Sequence, residues 1–216
     1  VCSGKVICND AEVVNRCSND LCSAKIQGSI EHFVSKSCMN IDGLGTKIVE
    51  LLIKEKKILD FGDLYTLTST DIVSLNRMGE KSADNIIRSI NKSKNSTLAR
   101  FVNGLGIRNV GYNTAKILEN YFKGDIWKLM NVTKEELANI HAIGDIMSDS
   151  IINYFSNYEQ KNIILKCLNH GIKFKFLNKI KQSIITDKVF VFTGNLRSLT
   201  RRDAIKLIEN YGAKSS

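Results

Sequence analysis

From residue 25 onward, apolar residues recur at helical spacing. In "KIQGSIEHFVSK", Ile26, Ile30, Phe33 and Val34 fall at i, i+4, i+7 and i+8, one face of an amphipathic helix. The same period returns in "KIVELLI", "SADNIIRSI", "TAKIL" and "DIMSDSIINYF", each shortly after a glycine. Between these runs, "DFGDLYTLTSTDIVSL" and "VTKEELANI" place a Thr or Asp ahead of acidic first-turn residues, a self-capping helix start. Asp60, Asp63 and Asp71 read as such caps rather than as metal ligands. Residues 1–24 lack the period; "KVIC" and "EVVNRC" are brief extended runs around "NDA". The tail differs again: "DKVFVFTGNL" (187–196) is a β-branched and aromatic strand ending in Thr-Gly, and "TRRDAIKLIENYGAK" (200–214) is an amphipathic helix stopped at Gly212. The expected fold is mainly α: a small Cys-rich segment over 1–24, a helical domain over 25–180, and the incomplete opening of an α/β domain over 187–216.

Aligning the glycine turns exposes a repeat. "IDGLGTKIVELLI" (41–53), "LNRMGEKSADNIIRSI" (75–90), "VNGLGIRNVGYNTAKIL" (102–118) and "IHAIGDIMSDSIINYF" (140–155) share an apolar residue, a short turn closed by Gly, a polar first turn and an amphipathic helix. With closing glycines at Gly45, Gly79, Gly106 and Gly144, the separations are 34, 27 and 38 residues, which argues against a fixed-period solenoid. In the first and third copies a second glycine, Gly43 or Gly104, stands two residues earlier, where a tight turn needs positive φ or close backbone approach. A helix opening at such a turn points its free amides and positive dipole end back at it, a socket for a phosphate oxygen. Lys47, Lys81 and Arg108 follow the closing glycine by two residues and can add a charge-assisted contact. The second copy has Arg77 in place of the first glycine; the fourth has Ala142 there, and its Asp145 and Asp149 would repel a phosphate.

Charge sharpens this picture. The 216-residue chain has a formal net charge of +9 and a pI near 9.2, which favours a polyanionic partner. Residues 76–116 carry eight cations and two acids, whereas residues 117–160 are net −4, so the second and third turns are expected to bind most firmly. No run approaches the roughly 18 apolar residues of a membrane span. No secretory segment is visible, so a reducing cytoplasmic setting and free thiols are expected for the six cysteines, with Cys38 and Cys167 as plain apolar-context thiols. Val1 in place of Met points to a piece of a longer chain. Cys17 and Cys22 bracket the turn-forming "SNDL", and Cys2 and Cys8 could complete a four-thiolate metal set. A dinucleotide-binding reading of "GLGIRNVG" fails, because the third Gly is misplaced and no β-rich run precedes the turn.

The repeated turn resembles the helix–hairpin–helix motif, a sequence-independent binder of DNA backbone. The segment "VCSGKVICNDAEVVNRCSNDLCSAKIQGSIEHFVSK" resembles the zinc finger of bacterial NAD-dependent DNA ligases, including a His-Phe pair at His32 and Phe33. The resemblance continues through "NIDGLGTKIVELL", "LNRMGEKSADNII" and "GLGIRNVGYNTAKIL", and ends in "KVFVFTGNLRSLTRRDAIKLIENYGAK", which looks like the first strand and helix of a BRCT domain with its Thr-Gly turn at Thr193 and Gly194. It implies zinc held by Cys2, Cys17 and Cys22 as second, third and fourth ligands, with the first ligand before Val1 and Cys8 in a strand. It also implies a parent enzyme, a monomer active in DNA replication and repair, that transfers AMP from NAD with magnesium and seals nicks in double-stranded DNA. The Lys-x-Asp-Gly nucleophile motif is absent, so this chain alone is expected to be inactive and only to hold DNA through Gly43, Gly45, Lys47, Gly79, Lys81, Gly104, Gly106, Arg108 and Gly144. The alternative is a non-catalytic DNA repair or junction-binding subunit built from tandem hairpins, which would not predict the cysteine finger.

Overall fold

Ser23–Val34 forms the first long helix, α1, and buries the face its spacing predicts: Ile30, Phe33 and Val34 are buried, Ile26 half-buried. In the computed structural model the described residues are 1–7, 16–19, 22–76, 78–176, 184–186, 188–194, 196 and 198–215. Cys8, Arg77 and most of the "EVVNRC" run lie outside them. Two units separate, Val1–Phe176 and Leu177–Ser216.

The first unit opens with a two-stranded antiparallel ribbon, β1 (Val6–Ile7) on β2 (Arg16–Cys17), with Val6 opposite Cys17. After α1 come α2 (Thr46–Lys54), a 3-10 turn (Phe61–Tyr65), α3 (Ser69–Val73) and α4 (Glu80–Ser93). Then follow β3 (Asn95–Ser96), α5 (Leu98–Gly104), α6 (Tyr112–Phe122), α7 (Ile126–Met130), α8 (Lys134–Ala138), α9 (Asp145–Ser156), α10 (Tyr158–Asn169) and β4 (Lys173–Phe174). The helices pack in consecutive pairs across short turns: α1 on α2, α3 on α4, α5 on α6 and α8 on α9.

One hydrophobic cluster joins all four pairs. Phe33 is fully buried; it stacks on Phe61 (centroids 4.4 Å, 15°) and meets Tyr65 and Phe101 edge-on at 6.3 and 6.0 Å. Truncating such a residue to Ala costs about 3–5 kcal/mol. Two long-range ties brace the cluster. Lys166 of α10 donates to Asp60 Oδ2 and Asp63 Oδ1, both at 2.7 Å, clamping α10 to the 3-10 turn. The strand β3 pairs in parallel with β4, Asn95 opposite Lys173. The capping roles read for the acids hold: Asp60 and Thr68 each form a capping box, with Asp63 and Asp71 as the reciprocal partners. Cys38 and Cys167 are both fully buried.

In the second unit, β5 (Val189–Phe190) pairs in parallel with β6 (Lys214–Ser215), and α11 (Arg201–Asn210) joins them. Parallel pairing across a helix is an α/β crossover. Thr200 caps α11, accepting from Asp203 N at 3.2 Å, and Gly212 takes a φ of +77° just after the helix. The regular strand covers two residues, shorter than the ten-residue run suggests.

Candidate nucleic-acid interface and metal centre

Each helix pair is joined by a turn of one pattern, apolar–x–x–apolar–Gly. The apolar pairs are Ile41/Leu44, Leu75/Met78, Ile107/Val110 and Ile140/Ile143, packed into the core. Three of these turns close with the same hydrogen bond: Met78 N to Leu75 O, Val110 N to Ile107 O, and Ile143 N to Ile140 O, at 3.0–3.2 Å. The third position has positive φ wherever described: +91° at Gly43, +62° at Asn109 and +72° at Ala142. The glycine is then the N-cap of the following helix: Gly45 for α2, Gly79 for α4, Gly111 for α6 and Gly144 for α9.

This corrects the register of the third copy. Its turn is "IRNVG", not "VNGLG": Gly104 is the last residue of α5, and α6 starts only after Gly111. With caps at 45, 79, 111 and 144, the separations become 34, 32 and 33 residues, a near-constant period. The two glycines of "GLG" do other work. A Cβ on Gly104 would stand 3.0 Å from Phe33 Cδ2 and 3.4 Å from Cys38 Cβ, so this glycine lets α5 close on α1. Gly106 turns the chain at φ +67° after α5, its amide donating to Asn103 O at 3.2 Å. Arg108 therefore sits within the turn, at the place of Asp42, Asn76 and His141, and not in the first helical turn. The residues two beyond the capping glycine are Lys47, Lys81, Asn113 and Ile146, so two of the four are cations. The equal spacing and the doubled apolar positions were the signals for Gly111, masked by the more conspicuous "GLG".

The four capping glycines share one backbone conformation. Their φ lies between −76° and −97° and ψ near 180°, extended backbone that any residue can adopt. A Cβ at any of the four would meet nothing within 4 Å. Neither conformation nor internal packing demands glycine there. Gly43 is the contrast: at φ +91°, its Cβ would lie 2.7 Å from Ile86 Cγ1, so Gly43 seats the first hairpin on α4. Asp42 N donates to Ser89 Oγ at 2.7 Å across the same contact.

None of the four hairpin helices has a side-chain N-cap bond. By contrast, α3, α5, α7, α8 and α10 are capped by Thr68, Thr97, Asp125, Thr133 and Asn157, whose side chains accept first-turn amides. Helices α3, α5, α7, α8 and α10 thus satisfy first-turn amides with their own N-cap side chains, whereas α2, α4, α6 and α9, and α1 with Cys22 at its N-cap, have no side-chain acceptor there. Lys47, Lys81 and Asn113 are exposed beside those amides; at the fourth hairpin the places are held by Asp145 and by Ile146, 74% exposed. Asp149 there pairs with Lys134.

At the N-terminus, Cys2, Cys17 and Cys22 converge, every pair of sulfurs within 4.8 Å and Cys2 Sγ to Cys17 Sγ at 3.3 Å. Cys17 arrives on β2, held in register with β1, and Cys22 is the buried N-cap of α1. Gly4 completes the cradle: a Cβ there would lie 3.2 and 3.3 Å from the Cys2 and Cys17 sulfurs. A backbone hydrogen bond from Gly4, followed by the Cys17 and Cys22 side chains, pulls the Cys2 thiol down to about 7. At Cys17 the Asn19 amide works in the same direction, but the Cys2 side chain, burial and Cys22 together push the thiol up. One sulfur poised as a thiolate beside two others can hold a metal ion, and the donor set is compatible with zinc. Tetrahedral zinc with bonds of about 2.3 Å would space sulfurs about 3.8 Å apart, within the range found here.

Residues 37–92 match a family described as a SAM-like helix-hairpin-helix tandem, and residues 100–164 match the helix-hairpin-helix motif. Along its whole length the chain is similar to proteins named DNA ligase: 42% identical to that of Clostridioides difficile (strain 630) over 100% of this chain, 42% to that of Anoxybacillus flavithermus over 99%, and 41% to that of Coxiella burnetii (strain CbuK_Q154) over 100%. It spans about a third of their length, 32% in each case. No helix among the described residues is long and apolar enough to cross a membrane.

Proposed function

We propose that this chain, homologous throughout to bacterial DNA ligases, is the duplex-holding portion of a ligase that draws its adenylate from NAD and seals nicks with magnesium. The observation that carries the reading is the set of four glycine-capped, side-chain-uncapped helix starts with open space at every Cβ. A backbone amide has no side chain to keep an acceptor away, and a phosphate oxygen is the acceptor of the right charge and size. Lys47 and Lys81 add charge at the first two hairpins, Asn113 a neutral donor at the third; Asp145 makes the fourth the weakest. Because Asn113 rather than Arg108 stands at the third helix start, the strongest grip is assigned to hairpins one and two instead of the two and three that charge alone favoured.

Contacts of this kind position a duplex without reading its sequence. Adenylation and nick closure are assigned to parts of the ligase outside these residues, and the chain acts as a monomer on nicked double-stranded DNA. The three cysteines are assigned to structural zinc, which would brace the ribbon against α1, and β5–α11–β6 to the opening of a BRCT domain. Titration of a nicked duplex at several salt concentrations tests the reading. With about five or six phosphates neutralised, the log–log slope is expected near −5. An affinity indifferent to salt would sink it.

A further inference from the structure

The β3–β4 ladder joins two stretches of chain that contain no acid at all. Residues 85–118 and 160–186 hold neither Asp nor Glu. The ladder brings them side by side, with Lys173 N donating to Lys94 O at 2.8 Å and Lys175 N to Ser96 O at 2.9 Å. Phe174 turns inward onto Phe101, centroids 5.0 Å apart. The alternation of a strand then sends Lys173 and Lys175 outward, and both are exposed. Lys92, in the last turn of α4, is exposed beside them, and Lys94 is half-buried. None of the four has a carboxylate within salt-bridge distance among the described residues. Of the acids that flank these stretches, Asp84 accepts from Ser69 Oγ at 2.9 Å. Glu119 turns inward to accept Ala99 N at 3.1 Å, and Asp125 caps α7.

We infer that this lysine ladder is a second phosphodiester-binding surface, separate from the hairpins. It lies at the opposite end of α4 from Gly79, and 14 helical residues put the two about 21 Å apart. Lys173 and Lys175 repeat at about 6.6 Å along the strand, roughly the reach of two phosphates along one DNA strand. A duplex seated on the hairpins therefore meets the ladder only where it extends or bends past them. The structural alternative is helix-end charge at α4, which accounts for Lys92 but not for Lys173 and Lys175.

The inference rests on the proposed DNA-holding function, so the experiment separates the two. The complete chain, a ladder variant (K92Q/K94Q/K173Q/K175Q), its arginine counterpart at the same positions, and a hairpin variant (G45D/G79D) are titrated with a 40-base-pair nicked duplex from 0.05 to 0.4 M salt. Thermal melting checks that each variant folds. The ladder variant is expected to flatten the log–log slope by about 3 and to weaken binding at least tenfold at 0.1 M salt, with arginine restoring both. A ladder variant that folds and matches the parent in slope and affinity, while the hairpin variant weakens, overturns the inference and leaves the hairpins standing. The reverse pattern removes the hairpin reading and keeps the ladder. Recovery by arginine of fold but not of slope also counts against phosphate contact.

Discussion

Replacing Gly79 by Asp separates stability from binding in opposite directions. Gly79 has φ −97° and ψ 161°, values an aspartate adopts without strain, and its Cβ would enter open space. Asp is a preferred N-cap, so its carboxylate would accept the first-turn amides of α4 that now have no side-chain partner. Folding stability should stay level or rise by a few tenths of a kcal/mol. The same carboxylate would occupy the amide socket and place a negative charge where a phosphate must sit. The loss of charge-assisted hydrogen bonding is about 1.5–3 kcal/mol, roughly a 10- to 150-fold weaker complex. Fluorescence anisotropy with a nicked duplex at 0.1 M salt, beside calorimetric melting of the free chain, reads both quantities. Unchanged affinity at unchanged melting temperature would refute the claim that this glycine is kept for an external acceptor. A fall in melting temperature would refute the claim that nothing inside the molecule needs it.

Gly43→Ala should behave in the opposite way, losing about 1–2 kcal/mol or more of stability, because φ is +91° and Ile86 Cγ1 lies 2.7 Å from the new methyl; equal melting of variant and parent would refute this. Asp71 is held down to about 2, first by the Thr68 hydroxyl and then by Lys57, against an ordinary value near 3.8. Its folded pKa is depressed, so its contribution is present above the ordinary value and lost as pH falls from about 4 to 2; Asp71→Asn should flatten the pH–melting profile in that window. Asp63 follows the same sign: burial opposes its charge, but Lys166 and the Leu59 and Asp60 amides prevail and lower its pKa, so Lys166→Met should bring acid unfolding to higher pH. Removing metal with a chelator, or Cys17→Ser, should release the β1–β2 ribbon to exchange while protection in α4 and α5 stays unchanged; loss of protection throughout would assign the cysteines to the main core.

Much of this protein was legible in one dimension because it depends on local chemistry. Helix period follows from apolar spacing, and the face placed on α1 is the face that buries. Caps follow from short polar side chains beside free amides, which is why Asp60, Thr68 and Thr133 were recognisable as helix starts. The cysteines stood close enough in sequence to be grouped, and folding brings Cys2, Cys17 and Cys22 together.

What the sequence could not decide is which of glycine's uses applies at each position. Gly104 serves close packing against Phe33, Gly106 a left-handed turn, Gly43 both at once, and Gly111 neither. These needs look identical as letters, and the doubled "GLG" drew the third hairpin five residues too early. Only the position of Phe33, some 70 residues away in sequence, reveals why Gly104 is there. The Lys166 clamp on Asp60 and Asp63, and the meeting of residues 94–96 with 173–175, are likewise set by packing of distant segments. Sequence therefore determined the helix starts of three of the four hairpins and made phosphate the expected partner. Tertiary structure decided where the third hairpin turns and which glycines the fold itself requires, because those requirements come from residues distant in sequence.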